Sequence, residues 1–169
     1  SVGNFDLDIV NENNELIKEL NENKFELVYL LGQDSLNFKK KNEFIIYQGS
    51  HGDRGAEIAD VILPSAAYTE ENGLYQNLEG RVQECRKASY PAGAALESWK
   101  VFNKLTNAIK NKNLFDSFNK LRGEVLEKIV NFESLNKLPK YKEPSKKVNN
   151  NFKNENIHIN PIDFYFSNS

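Results

Sequence analysis

Sulfur is nearly absent from this sequence, with one cysteine and no methionine in 169 residues. Cys85 alone cannot close a disulfide within the chain. It also falls short of the roughly four thiolates that hold an iron–sulfur cluster. Its setting, Val82-Gln83-Glu84-Cys85, alternates like a strand, so the thiol reads as a small buried or half-buried side chain rather than a nucleophile. Histidine is scarce too: His51 has no second histidine nearby, because His158 stands far toward the C-terminus, and a metal site needs neighbouring ligands. No apolar run approaches the roughly 18 residues of a membrane span. A formal net charge of -2 supplies no broad basic field, so no nucleic-acid partner is expected. The sequence opens on Ser1 without a methionine, which predicts a processed N-terminus or a piece of a longer polypeptide.

What is present is enough for a core of about one domain, since hydrophobic residues make up 39%. Residues 15–22 read as a short helix with Leu16, Ile17 and Leu20 on one side. Residues 25–31 form a nearly unbroken apolar run stopped by Gly32, the pattern of a strand covered on both faces. Residues 33–42 are a polar connection with room for a helical turn. Residues 44–47 make a second buried strand, and residues 61–63 a third, closed by Pro64. Strands separated by short helical crossovers predict βαβ units and an α/β fold with a parallel sheet. Residues 74–77 and 81–84 read as two short strands around Glu79-Gly80. Two amphipathic helices follow, with stripes at Trp99, Phe102, Leu105, Thr106 and Ile109, then at Phe115, Phe118, Leu121, Val125 and Ile129. Residues 1–135 are thus expected to form a partial α/β domain. Residues 136–169 are expected to be an extended arm, too rich in Lys, Asn, Pro and Ser to pack by itself, with an aromatic anchor at 162–166.

The residues richest in candidate chemistry are His51, Gly52, Asp53, Arg54 and Gly55. They follow the second strand, at the end of a parallel sheet where ligands collect. Gly52 and Gly55 are expected to open backbone conformations closed to other residues, and main-chain N–H groups there suit an anionic ligand. A functional reading makes His51 a base and Arg54 a phosphate clamp. A structural reading pairs Asp53 and Arg54 with neighbours and gives the glycines a tight turn. The spacing lacks the full glycine fingerprint of dinucleotide sites and the Lys-Ser/Thr of a P-loop. Asp53, Glu57 and Asp60 do not share a helix face. Glu70, Glu71 and Glu79 supply an acid–base pair only if the fold gathers them. No residue is assigned a catalytic or metal-binding role.

Order and spacing across residues 24–130 carry a resemblance. The stretches are Phe44-Ile45-Ile46-Tyr47-Gln48-Gly49, His51-Gly52-Asp53, Ala59-Asp60-Val61-Ile62-Leu63-Pro64, Tyr75-Gln76-Asn77, Glu79-Gly80-Arg81 and Pro91-Ala92-Gly93, with Asp163-Phe164-Tyr165-Phe166 at the end. In these the chain resembles the C-terminal portion of the largest peripheral-arm subunit of respiratory complex I, NADH:ubiquinone oxidoreductase, whose fold is molybdopterin-oxidoreductase-like. The resemblance implies a partial three-layer sandwich, finished by a polypeptide carrying the upstream iron–sulfur part of the same subunit. It implies a non-catalytic structural fragment of a split large subunit, on the matrix side of the mitochondrial inner membrane without direct membrane insertion. It implies further partners among the other peripheral-arm subunits, no cofactor in this chain, and iron–sulfur clusters and FMN elsewhere in the complex. The loop at His51–Gly55 becomes a relic of a pterin crevice. The alternative is a fragment of a molybdenum-dependent oxidoreductase such as a formate dehydrogenase, in which the 49–55 loop binds the pterin.

Overall fold

In the computed structural model, the described residues are 3–4, 7–9, 15–36, 38–129 and 135–138. The expected arm, from residue 139 onward, and its anchor at 162–166 lie outside them.

Strands β1 (Leu27–Leu31), β2 (Phe44–Gly49) and β3 (Val61–Pro64) form a parallel sheet in the order β1-β2-β3. The register sets Val28 beside Ile45 and Leu30 beside Tyr47. It sets Ile46 beside Val61 and Gly49 beside Pro64. Helix α1 (Leu16–Asn21) precedes β1, and α2 (Arg54–Ile58) joins β2 to β3. Strands β4 (Gly73–Gln76) and β5 (Val82–Cys85) form a separate antiparallel hairpin. Helices α3 (Ser98–Lys110) and α4 (Phe118–Ile129) follow. The α/β class and the parallel pairing agree with the sequence reading.

Side chains alternate across the sheet, and one face holds the core. Val28 and Leu30 join Ile45 and Tyr47 there, with Leu20 from α1 and Ala56 and Ile58 from α2. The β1–β2 crossover departs from expectation, since its described residues contain no helix. In its place Phe38 is buried and Leu36 packs beside it. The two apolar side chains of a polar connection thus cover the sheet where a crossover helix would lie.

The other face is covered in part. Phe102 of α3 stacks on Tyr29 with ring centroids 5.8 Å apart. Leu27, Leu31, Phe44 and Val61 remain exposed, so the double coverage expected from their apolar runs is missing among the described residues. The expected helical stripes are half-buried at Trp99, Phe102, Leu105 and Thr106 and at Phe115, Phe118, Leu121 and Val125, but the most buried positions lie beside them. Val101 is the buried residue of α3, while Ile109 faces solvent. Leu126, outside the expected stripe, is the fully buried side chain of α4, at 0% exposure.

Asparagine does more here than its abundance suggests. The Asn103 side chain accepts from the N–H groups of Leu114 and Phe115 and donates to the Phe115 carbonyl, tying α3 to the segment that precedes α4. Asn111 ends α3 in the left-handed conformation, φ 51°. Asn77 accepts from the N–H groups of Glu79 and Arg81 and so shapes the β4–β5 turn.

Candidate functional site

The loop after β2 is organised from beneath, by Tyr47. This ring is 1% exposed. Its hydroxyl lies 2.9 Å from the Asp34 carboxylate and 3.0 Å from the His51 carbonyl. Asp34 also accepts from the Gly55 N–H at 2.9 Å, so one carboxylate fastens both the phenol and the first turn of α2. Burial first, then the hydrogen bond and negative charge of Asp34 and the charge of Asp53, push the Tyr47 hydroxyl up to about 12.

The glycines serve that ring. A Cβ on Gly55 would come within 2.6 Å of Tyr47 and 2.8 Å of Asp34, and one on Gly49 within 2.2 Å of the Tyr47 hydroxyl. Neither Gly52 nor Gly55 is left-handed; the positive-φ glycines of the described residues are Gly32, Gly80 and Gly93. This corrects the expected reason for the glycines: the requirement at Gly49 and Gly55 is close approach to an aromatic face, not a special φ.

Of the five candidate residues, Gly55 is buried, while His51, Gly52, Asp53 and Arg54 are exposed. The His51 ring lies 2.9 Å from the Ser50 hydroxyl. The N–H an anionic ligand would need at Gly55 is already given to Asp34, and that carboxylate would repel a phosphate. At Gly55 the loop therefore offers a phosphate no free backbone donor. Asp34 and Tyr47 were absent from the sequence-derived site. The signal was available, since Asp34 follows the carboxyl end of β1 just as His51 follows that of β2.

The carboxylates Glu70, Glu71 and Glu79, an acid–base pair only if the fold gathered them, are engaged separately. Glu70 accepts from the Ala67 N–H at 3.0 Å, and Glu79 is exposed on the hairpin turn. Glu71 accepts from the N–H and hydroxyl of Ser98 at 2.8 and 3.2 Å. Ser98 lies 3.0 Å from Ser65, whose hydroxyl accepts from Gln48, and Gln48 accepts from the Tyr29 hydroxyl. Gln48 is wholly buried with both ends of its amide engaged. This relay runs from the sheet to the first turn of α3. Beside it, buried Glu97 accepts from Lys87 and Trp99 at 2.8 Å and from Lys100 at 3.3 Å. Burial pushes its carboxyl up, but these three donors outweigh burial and leave it lowered. The side-chain hydrogen bond from Lys40, then the Ile45 N–H, lower Asp60. Among the described residues no group of His, Cys, Asp and Glu is placed to hold a metal, and no helix is long and apolar enough to cross a membrane. Cys85 is half-buried in β5, as its alternation predicts.

A family model described as Molybdopterin oxidoreductase matches residues 1–108. An NADH-quinone oxidoreductase subunit of Rickettsia felis is 41% identical over 145 residues, covering 85% of this chain and 22% of that protein. The mitochondrial NADH-ubiquinone oxidoreductase 78 kDa subunit of Candida albicans is 39% identical over 168 residues, covering 91% and 23%. The NADH-ubiquinone oxidoreductase 75 kDa subunit of Reclinomonas americana is 45% identical over 121 residues, covering 70% and 17%. The chain thus spans about a fifth of the length of these relatives.

Proposed function

We propose, from the premise that this chain belongs to the molybdopterin oxidoreductase family, that it is a structural portion of the large peripheral subunit of an NADH:quinone oxidoreductase. The observation that carries the reading is the 41% identity to the Rickettsia felis oxidoreductase subunit across 85% of the chain. The engaged state of the loop supports a scaffold role. The Tyr47 phenol binds the Asp34 carboxylate and the His51 carbonyl, and the Gly55 N–H binds the same carboxylate, so the inner polar groups of the His51–Gly55 segment hold the fold. The chain then contributes packing and docking surface, and the iron–sulfur clusters and FMN belong to other parts of the assembly. Its partners are the polypeptide carrying the upstream iron–sulfur part and neighbouring peripheral-arm subunits. The mitochondrial protein among the relatives supports a place in the mitochondrion, on the matrix side of the inner membrane.

Native electrophoresis of membranes from cells expressing a tagged chain tests this. Co-migration with NADH-dependent quinone reductase activity is the expected outcome, and migration apart from it overturns the proposal. Stoichiometric molybdenum in the assembly would favour a molybdenum enzyme instead.

A further inference from the structure

The most apolar strand of the sheet occupies its edge. Leu27-Val28-Tyr29-Leu30-Leu31 carries no charge and no proline. Edge strands ordinarily defend themselves with Lys, Pro or a bulge, and continuous apolar runs belong to interior parallel strands. The opposite edge is treated differently: β3 ends in Pro64, and Ser65 is bridged to Leu96, with the Ala66 N–H donating to the Leu96 carbonyl at 2.9 Å.

The backbone of β1 can be assigned residue by residue. Phe44 N–H donates to the Glu26 carbonyl at 2.8 Å, and Gly32 N–H to the Gln48 carbonyl at 2.7 Å. In a parallel pair alternate residues serve the same neighbour. Glu26, Val28, Leu30 and Gly32 therefore face β2, and the N–H and C=O groups of Leu27, Tyr29 and Leu31 face outward. The side chains of those outward residues share the incompletely covered face. Leu27 is 56% and Leu31 54% exposed, beside Phe44 at 45% and Val61 at 39%. Among the described residues no strand pairs with these outward backbone groups, and on the same edge apolar side chains are open.

We infer that the outer edge of β1 is the docking site for an extended apolar segment belonging to the remaining length of the large subunit, which adds to this sheet as a fourth strand. This rests on the proposed function, and it names where the partner binds. The occupant follows from three facts together: the strand has the composition of an interior one, it bears no protection against pairing, and the relatives are about five times as long as the portion matched here. Strand addition satisfies the outward backbone groups and lets the incoming side chains cover Leu27, Leu31 and Phe44.

Residue-resolved amide hydrogen exchange on the full chain, alone and in the assembly purified through its tag, tests the assignment. The Leu27, Tyr29 and Leu31 amides are expected to exchange freely in the lone chain and to slow by at least roughly a hundredfold in the assembly. Val28 and Leu30, already bonded to β2, change little. Leu31→Lys, at an exposed side chain, is expected to preserve the exchange pattern of the lone chain while lowering its recovery in the assembly about tenfold. If wild-type chain enters no oxidoreductase assembly, the proposed function fails. If it enters and the three outward amides stay fast, the β1 assignment alone fails. Slowing of those amides in the lone chain as its concentration rises would mean pairing with a second copy, and would also overturn it.

Discussion

The Tyr47 hydroxyl holds Asp34 and reaches the His51 carbonyl, so Tyr47→Phe strips a half-buried carboxylate of one donor. A loss of about 1–3 kcal/mol is expected, measured by urea denaturation followed through Trp99 fluorescence. Its pH signature has a definite sign. The folded-state value near 12 lies above the ordinary value of 10, so the contribution is complete below pH 10 and is lost as pH rises from 10 to 12. The interval corresponds to roughly 2–3 kcal/mol. Tyr47→Phe should erase that alkaline loss, and an unchanged alkaline limb would contradict the assignment. The glycines give a paired comparison. Gly55→Ala forces a Cβ against the Tyr47 ring and should cost about 1–3 kcal/mol. Gly52→Ala meets nothing within 4 Å, at a backbone angle open to alanine, and should change stability by less than about 0.5 kcal/mol.

Between elements, the buried amide of Gln48 and the carboxylate of Glu71 fix how α3 meets the sheet, and Glu97 ties the start of α3 to Lys87. Gln48→Ala leaves the Tyr29 hydroxyl and Ser65 without their shared partner, an expected cost of about 1–3 kcal/mol, read from the urea midpoint. Glu97 acts in acid. Its carboxyl is lowered below the usual 4.5, so its contribution is present above pH 4.5 and lost as pH falls below it. Glu97→Gln should flatten the acid limb of the stability profile and leave the alkaline limb of Tyr47 untouched.

At the scale of the molecule, the apolar face bearing Leu27, Phe44 and Val61 is the consequence of a sheet with three described strands. Parallel sheets are ordinarily covered on both faces. The chain alone is therefore expected to self-associate, with a sedimentation coefficient that rises with concentration. Phe44→Lys with Val61→Lys, which charge this open face and leave the outer edge of β1 as it is, should return it toward a monomer. A wild-type chain that stays monomeric at high concentration would remove the case for a missing cover.

The apolar runs at residues 25–31, 44–47 and 61–63 determined the parallel strands, because a strand buried by a crossover needs little else than continuous apolar side chains. The Glu79-Gly80 pair likewise marked the hairpin turn, because turn chemistry is local. Tertiary structure decided the rest. Phe38 was hidden in a polar stretch because its burial depends on which face of the sheet it reaches, and Leu126, beside the half-buried stripe of α4, is fully buried because the tertiary neighbours of a helix, not its period, decide which position is deepest. Asp34 stands far from Gly55 in sequence, and no period in the chain could say that its carboxylate holds that N–H. The composition of β1 fitted it for a sheet interior; only the register, by turning the backbone of Leu27, Tyr29 and Leu31 outward, placed it at an edge.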